Sequence, residues 1–450
     1  MGWSHRSVNI SIIFIMRSLL YKVKYSQALW GRLLPTMLYC LVYDIVFERF
    51  IYETFGYIGD IEYSEMPILK SIVWLFISVL PICLYKKINN LSTFICVFLY
   101  LLVYIPTIHA LFTINTIVSW GLYCNALILC VFFILYFSIG EKKSHYIELQ
   151  PFTPFIYIEV VTALLSLLFL IAKHNSMHFV NIFTQSNLLY ELRENNADGG
   201  NIIAYIKGWL FGAFYPYLLV CYLKNKQWIR SFVVLLGFFV LFMADMQKLT
   251  FFMPFLLIGL YVVISIYKES FYNRFYLFFI LTLIGIAFIM SFIDNSNEVL
   301  FAIASIIILR TICVSGWLSQ MYMFFFNDHP YTYYSHINII NLITNNYPYK
   351  EPLGVVVANG NMNANANFFL TDGIAAMGTV GITIICVLFY FLLKLINSIA
   401  YRYELKDVLI IIIPVLSCLM NISIFTTLLS KGFLILIILL SNTRSSLTNN

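Results

Sequence analysis

The chain has 450 residues, 61% of them hydrophobic and 18% aromatic, with 11% charged, a net charge of +6 and a mean hydropathy of +0.86. A soluble globular domain carries about 25% charged residues, so a soluble enzyme and a nucleic-acid-binding domain are both excluded. What remains is a single all-α polytopic membrane domain running from 1 to 450, and its elements can be taken in order.

Residues 1–29 mix Arg17, Lys22 and Lys24 into an apolar run of about a dozen residues. That is too short to span a bilayer, and no small-residue cleavage site follows, so the segment reads as a basic interfacial helix. Apolar stretches of spanning length follow near 30–51, 67–85, 91–112, 116–138, 153–172, 202–223, 229–246, 249–267, 274–293, 369–393 and 407–426, with a short last one at 430–441. The expectation is therefore about 12 transmembrane helices. Nine cysteines sit in or beside these runs without CxxC or Cys/His spacing, which marks them as small hydrophobes and leaves no metal site.

Placing the amino terminus in the cytoplasm puts 18 of the 27 Lys and Arg residues in cytoplasmic loops, as the positive-inside bias requires. The other nine, Arg49, Lys70, Lys173, Arg193, Lys207, Lys248, Arg310, Lys350 and Lys431, fall at or near the outer face. Val299–Phe326 is apolar enough to cross, but it carries Arg310. Crossing would also put Lys394, Arg402 and Lys406 outside, so it is expected as a re-entrant or interfacial helix. Two long outer segments result, 173–201 and 294–368. Loops of that length tend to be functional or disordered.

Each outer cation asks for a reason. Lys70 and Lys207 lie within a turn or two of the outer face and can snorkel. Lys248 follows Asp245 by three residues in "MADMQKLT", a spacing that suits an ion pair or the presentation of Lys248 to an anion. Arg193 and Arg310 carry a permanent, planar charge that grips phosphate oxygens in pairs. Each precedes a glycine at the same offset, Arg193-ENNAD-Gly199 and Arg310-TICVS-Gly316, where a helix stopped by glycine is the plainer explanation. Two or three cations at headgroup depth suit a lipid-linked pyrophosphate. The stretch "FFFNDHPYTYYSHINII" adds His329, His336 and tyrosines 331, 333 and 334. These suit sugars, although tyrosine is also the ordinary residue of membrane interfaces.

"NGNMNANANFFLTDGIAAMG" places asparagines at 361, 363, 365 and 367. Read as an extended strand, they put four amides on one face; read as an earlier helix start, Asn363, Asn367 and Thr371 line up instead. Either row suits sugar hydroxyls, whereas capping and turns absorb only one or two asparagines. Asp372 then stands on the first turn of a helix, where the helix dipole favours it and where a buried carboxylate is by default a functional candidate. Gly373, Ala375, Ala376, Gly378 and Gly381 allow a neighbouring helix to approach closely.

With about a dozen spans, two large outer loops each bearing an arginine, "ADMQKLTFFMPFLLIGLY" and "NANANFFLTDGIAAMGTVG", the chain resembles an O-antigen polymerase of the Wzy type over roughly 190–395. Some members carry R-x10-G in the two loops, where this chain has R-x5-G. The resemblance implies a GT-C-like, metal-independent and cofactor-free glycosyltransferase of the bacterial inner membrane, with its site facing the periplasm. It would transfer a growing glycan from undecaprenyl pyrophosphate to the terminal sugar of another lipid-linked repeat unit. The implied partners are that lipid-linked oligosaccharide, the bilayer and a chain-length regulator protein. On this resemblance Arg193, Arg310 and Asp372 are the expected catalytic residues, and Lys248, Asn363, Asn365, Asn367, His329 and Tyr333 the expected substrate-binding residues. The base stays open among Glu191, Asp198, His329 and Asp372. An O-antigen ligase, which would use a histidine of the large outer loop, and a flippase or secondary transporter are the alternatives. A transporter should show two similar halves with charges at the midplane, and neither is evident in the sequence.

Overall fold

A computed structural model of the protein describes residues 29–53, 63–113, 119–140, 153–180, 188, 192, 202–290, 312–364 and 370–444. The expected helix within 1–29 and the candidates Glu191, Arg193, Asp198, Arg310, Asn365 and Asn367 fall outside them or at their edge. The fold is helical. The only extended pairing among the described residues joins Thr153–Pro154 to Thr443–Arg444.

Eight helices of the described chain are long and apolar enough to cross a membrane. In chain order the elements are α1 (29–53), α2 (Ile68–Val79) with a 3₁₀ extension to Leu84, α3 (Leu91–Thr113), α4 (Ser119–Ile139) and α5 (Phe155–Lys173). There follow α6 (Ile202–Lys224), α7 (Trp228–Asp245), α8 (Lys248–Tyr267) and α9 (Glu269–Met290). These nine fall close to the expected spans, because continuous apolarity is the strongest signal a membrane sequence carries.

The basic residues assigned to one side do gather at one end of the bundle. There an Arg32 guanidinium N–H donates to the Tyr85 carbonyl, Lys224 pairs with Asp407 at 2.9 Å and Glu404 at 3.0 Å, and Lys406 lies 3.5 Å from the Tyr261 ring centre. Arg402 donates to the carbonyls of Leu440 and Ser441. At the same end Asn90 caps α3: its side-chain oxygen accepts from the Thr93 amide at 2.9 Å, while its amide donates to the Gly140 carbonyl at 3.2 Å. Replacing Asn90 with alanine should therefore cost about 1–2 kcal/mol, read as a lowered unfolding temperature in detergent.

Three regions differ from expectation. The apolar run at 369–393 is two helices, α13 (Leu370–Met377) and α14 (Thr379–Ala400), broken at Gly378, whose φ of +61° an L side chain rarely adopts. A Cβ on Gly373 would meet the Ile382 backbone at 2.5 Å, and one on Gly381 would meet the Gly373 carbonyl oxygen at 2.2 Å. The small residues thus let α13 fold back along α14, and Asp372 is set beside the first turns of α14 instead of one turn above them.

The second region is 405–442, expected as a span and a half. Pro414 and two turns break it into α15 (Leu405–Ile411), α16 (Ile413–Leu419), α17 (Ile424–Leu429) and α18 (Phe433–Asn442). The chain leaves the basic end at Lys406 and returns to it, where Arg402 holds the end of α18. The tip at Ser430–Gly432 packs against Gly208 and Gly212 of α6. Lys431, expected near the outer face, lies close enough to Asp245 at the end of α7 to act on its charge.

Third, the described part of Val299–Phe326 is α10 (Val314–Asp328). An interfacial helix would keep one face among headgroups, yet every residue from Val314 to Met323 is buried. A Cβ on Gly316 would touch the Pro106 carbonyl of α3 at 2.6 Å, and Tyr322 donates to the Ala364 carbonyl at 3.0 Å. The helix is enclosed by protein.

Candidate functional site

At the end opposite the basic cluster, the segment 329–364 closes over α13. Its first part is fixed by what α13 lacks. The last carbonyls of a helix have no partner within it, and here the amides of Thr332 and Tyr333 donate to Ala375 and Ala376 at 2.7 and 3.0 Å. Holding that register forces Tyr333 and Tyr334 to positive φ, +49° and +65°, a conformation costing on the order of 1–3 kcal/mol per residue. The turn delivers His336 onto Asp372.

The His336 Nε2 lies 3.5 Å from Asp372 Oδ1, with the two side chains 7% and 3% exposed. Its other nitrogen, Nδ1, is 2.7 Å from the Thr332 hydroxyl, and that hydroxyl donates to the Ala375 carbonyl at 2.9 Å. A hydroxyl has one hydrogen, so Thr332 accepts from His336, and Nδ1 carries the proton. A neutral imidazole would then turn a bare lone pair toward a carboxylate. Neither His336 Nε2 nor Asp372 Oδ2 has a hydrogen-bond partner in the protein, which leaves both atoms chemically competent. Burial and the neighbouring Asp372 charge push the Tyr334 phenol up to about 12, so it stays a hydroxyl near neutrality, donating to the Gly381 carbonyl at 3.1 Å. Replacing Thr332 with valine keeps the shape and removes the acceptor for Nδ1–H. It should lower activity about tenfold and stability by about 1–2 kcal/mol, measured by turnover and thermal unfolding of the same preparation.

A cationic centre lies nearby. The Asp245 carboxylate accepts from the Gln247 amide and the Thr250 hydroxyl, each at 2.9 Å, and the ammonium groups of Lys207 and Lys431 are close enough to act on its charge. Trp209 donates its indole N–H to the Leu429 carbonyl at 2.8 Å. Gly208 and Gly212 leave room for the tip: a Cβ on them would fall 1.7 Å from the Ser430 oxygen and 1.9 Å from the Lys431 oxygen. This contact lies where α6 widens to a π-helical turn, Leu210–Phe214, a feature often found at functional sites. Tyr334 links the two centres, its ring 6.0 Å from Phe425 on α17.

Several expected residues take other places. Neither an extended strand nor a helix forms over 359–364. Asn359 and Gly360 adopt positive φ and close a turn after a short helix, α12 (Leu353–Val357). The Asn363 side-chain oxygen packs against the Gly354 backbone. These amides do turn chemistry. His329 stacks on Phe325 at 3.9 Å and bonds the Phe325 carbonyl through Nδ1, which caps α10. Tyr333 is 64% exposed on the outer turn. Lys248 stands at the start of α8, three residues past Asp245. Of the expected set, the structure brings Asp372 into a reactive pair. His336, read in the sequence as suited to sugars or to a ligase histidine, and Lys431, one of the nine outer cations, are brought beside Asp372 and Asp245 by the fold-back of α13 and of 405–442. Among the described residues no group of His, Cys, Asp or Glu could hold a metal ion.

The fold and these two centres define a multi-pass helical membrane protein with a buried acid–imidazole pair and a cationic centre set within the bundle. No known protein family, curated protein or solved structure matches the chain.

Proposed function

We propose that the protein is a membrane-embedded glycosyltransferase of the O-antigen polymerase type. It transfers a growing glycan from undecaprenyl pyrophosphate to the terminal sugar of another lipid-linked repeat unit, working from the periplasmic face of a bacterial inner membrane. The observation that carries this reading is the Asp372–His336 pair, a carboxylate and an imidazole 3.5 Å apart and buried at the end opposite the basic cluster. A positive-inside placement puts that end outside, in line with about twelve spans once α1, α2 and the 405–442 hairpin are counted as crossing.

In the reaction the acceptor hydroxyl attacks the anomeric carbon of the donor glycan. Asp372 Oδ2 takes up the hydroxyl proton, and the bond from the anomeric carbon to the pyrophosphate oxygen breaks. Lys207 and Lys431, with Lys248 and the loop arginines Arg193 and Arg310, stabilise the charge that develops on the departing lipid pyrophosphate. Fixed cations in a water-poor site are worth a few kcal/mol each for such a charge.

A histidine paired with a carboxylate in the large outer loop also supports the ligase reading, in which the same polymer passes to lipid A core. A deletion strain separates the two. Single repeats remaining on lipid A core are expected for a polymerase, and full-length polymer lost from the core together with single repeats would identify a ligase. Unchanged polymer in the deletion strain would rule out both.

A further inference from the structure

The mechanism leaves a second carboxylate–imidazole pair unused, and it lies on the other side of α10. His109 of α3 is fully buried, and its Nε2 is 2.6 Å from Asp44 Oδ1 of α1, a carboxylate whose side chain is 30% exposed. Tyr63 donates its phenol hydrogen to the same oxygen at 3.3 Å. The imidazole is packed in rings: Tyr43 and Phe47 at 4.9 Å, Trp74 at 5.6 Å. The buried Nδ1 of His109 and the Trp74 indole N–H have no hydrogen-bond partner in the protein.

Around the exposed face of Asp44 the chain collects both acids and aromatic faces. The Tyr52 and Tyr63 rings meet at 5.6 Å. Glu48 stands one helical turn past Asp44 on α1, and burial with the charges of Asp44, Glu48 and Glu65 holds the Tyr63 phenol well above its usual range. Here α1 runs as a π-helix from Phe47 to Tyr52. The Ser64 amide bonds the Thr113 carbonyl at the end of α3, and Gln320 of α10 donates to the Thr113 hydroxyl at 2.7 Å. One side of α10 therefore faces this pair, and Tyr322, with the loop it holds, faces Asp372.

We propose that Asp44, Glu48, Tyr52 and Tyr63 form a second carbohydrate-binding subsite, with His109 as the positioning residue that orients Asp44. The carboxylates accept hydrogen bonds from adjacent sugar hydroxyls, and the tyrosine faces cover the apolar C–H face of the ring. This subsite takes the sugar part of a substrate while the lysine centre takes its anion. Among the described residues the acids are not arranged to hold a metal ion. The subsite rests on the glycan-transfer reading for the choice of a sugar as its occupant.

The test needs no turnover. Saturation-transfer NMR on the full chain in detergent would use the methyl glycosides of glucose, galactose, N-acetylglucosamine and N-acetylgalactosamine as probes, with tetramethylammonium as a cation control. At least one glycoside should bind. Asp44→Asn and Tyr52→Ala should each weaken it about tenfold, whereas Glu269→Gln at the basic end should not. Tyr52 is half-exposed on the rim, so its variant tests the subsite even if Asp44→Asn unfolds. Glycoside binding that survives both changes overturns the subsite, as does binding of tetramethylammonium alone or of no probe at all. Sugar binding that depends on Asp44 and Tyr52 in a protein whose deletion leaves polymer unchanged would uphold the subsite and reject the polymerase.

Discussion

Asp372→Asn should leave the protein folded and lower glycan transfer by about 10²–10⁴-fold, the usual contribution of a positioned proton-transfer group. Asparagine matches the shape of aspartate and cannot take up the proton of the acceptor hydroxyl. The change removes the chemistry of the pair and keeps its packing against α14. His336→Gln should fall in the same range, and the double variant should be little worse than either single one, because residues acting as a unit are not additive. A reconstituted assay with a defined lipid-linked repeat reads this as turnover, and thermal unfolding of the same samples checks the fold. Turnover within about threefold of wild type for Asp372→Asn would remove the pair from the mechanism.

Gly208→Ala should be the most destructive added methyl among the described glycines. The added Cβ would sit 1.7 Å from the Ser430 carbonyl oxygen, and backbone on both sides leaves no flexible side chain to yield. Overpacking a close-packed interior costs about 1–3 kcal/mol in ordinary cases, and a contact this short should exceed that range. The tip at Ser430–Gly432 would be pushed off α6, taking Lys431 away from Asp245 and Lys207. Either the yield of folded protein collapses, or the protein folds with the lysine centre dispersed and transfer lost. Gly212→Ala, with its clash at 1.9 Å, should behave alike, whereas Gly259→Ala, which meets nothing within 4 Å, should be silent. Gly208→Ala with normal yield and normal turnover would show that the tip is not held as described.

How much of this was legible in the sequence depends on the kind of signal. Spans such as 229–246 and 249–267 were readable to within a residue or so, because burial in hydrocarbon demands an uninterrupted apolar run. The basic end was readable because lysine and arginine are costly to translocate. Asp372 was legible as an acid out of place in an apolar helix. Its partner was not, since thirty-six residues separate it from His336 and the contact depends on the turn at 332–336 capping α13. The described part of the asparagine run is a related case. Alternation suggested a row of amides, while the turn at Asn359–Gly360 and the packing of Asn363 on Gly354 were settled by how α12 folds against its own loop. Likewise Asp44 and His109 lie sixty-five residues apart on helices that each look ordinary alone.

The sequence by itself determined that the chain is a helical membrane protein and which of its connections are basic. These follow from local composition, because the bilayer judges each segment on its own. Only the tertiary structure decided that 370–377 and 424–432 fold back into the bundle, that Asp372 meets His336, and that Lys431 comes near enough to Asp245 to act on its charge. Those contacts depend on glycines that let backbones touch and on orphaned carbonyls that must find donors, and both are properties of two segments together.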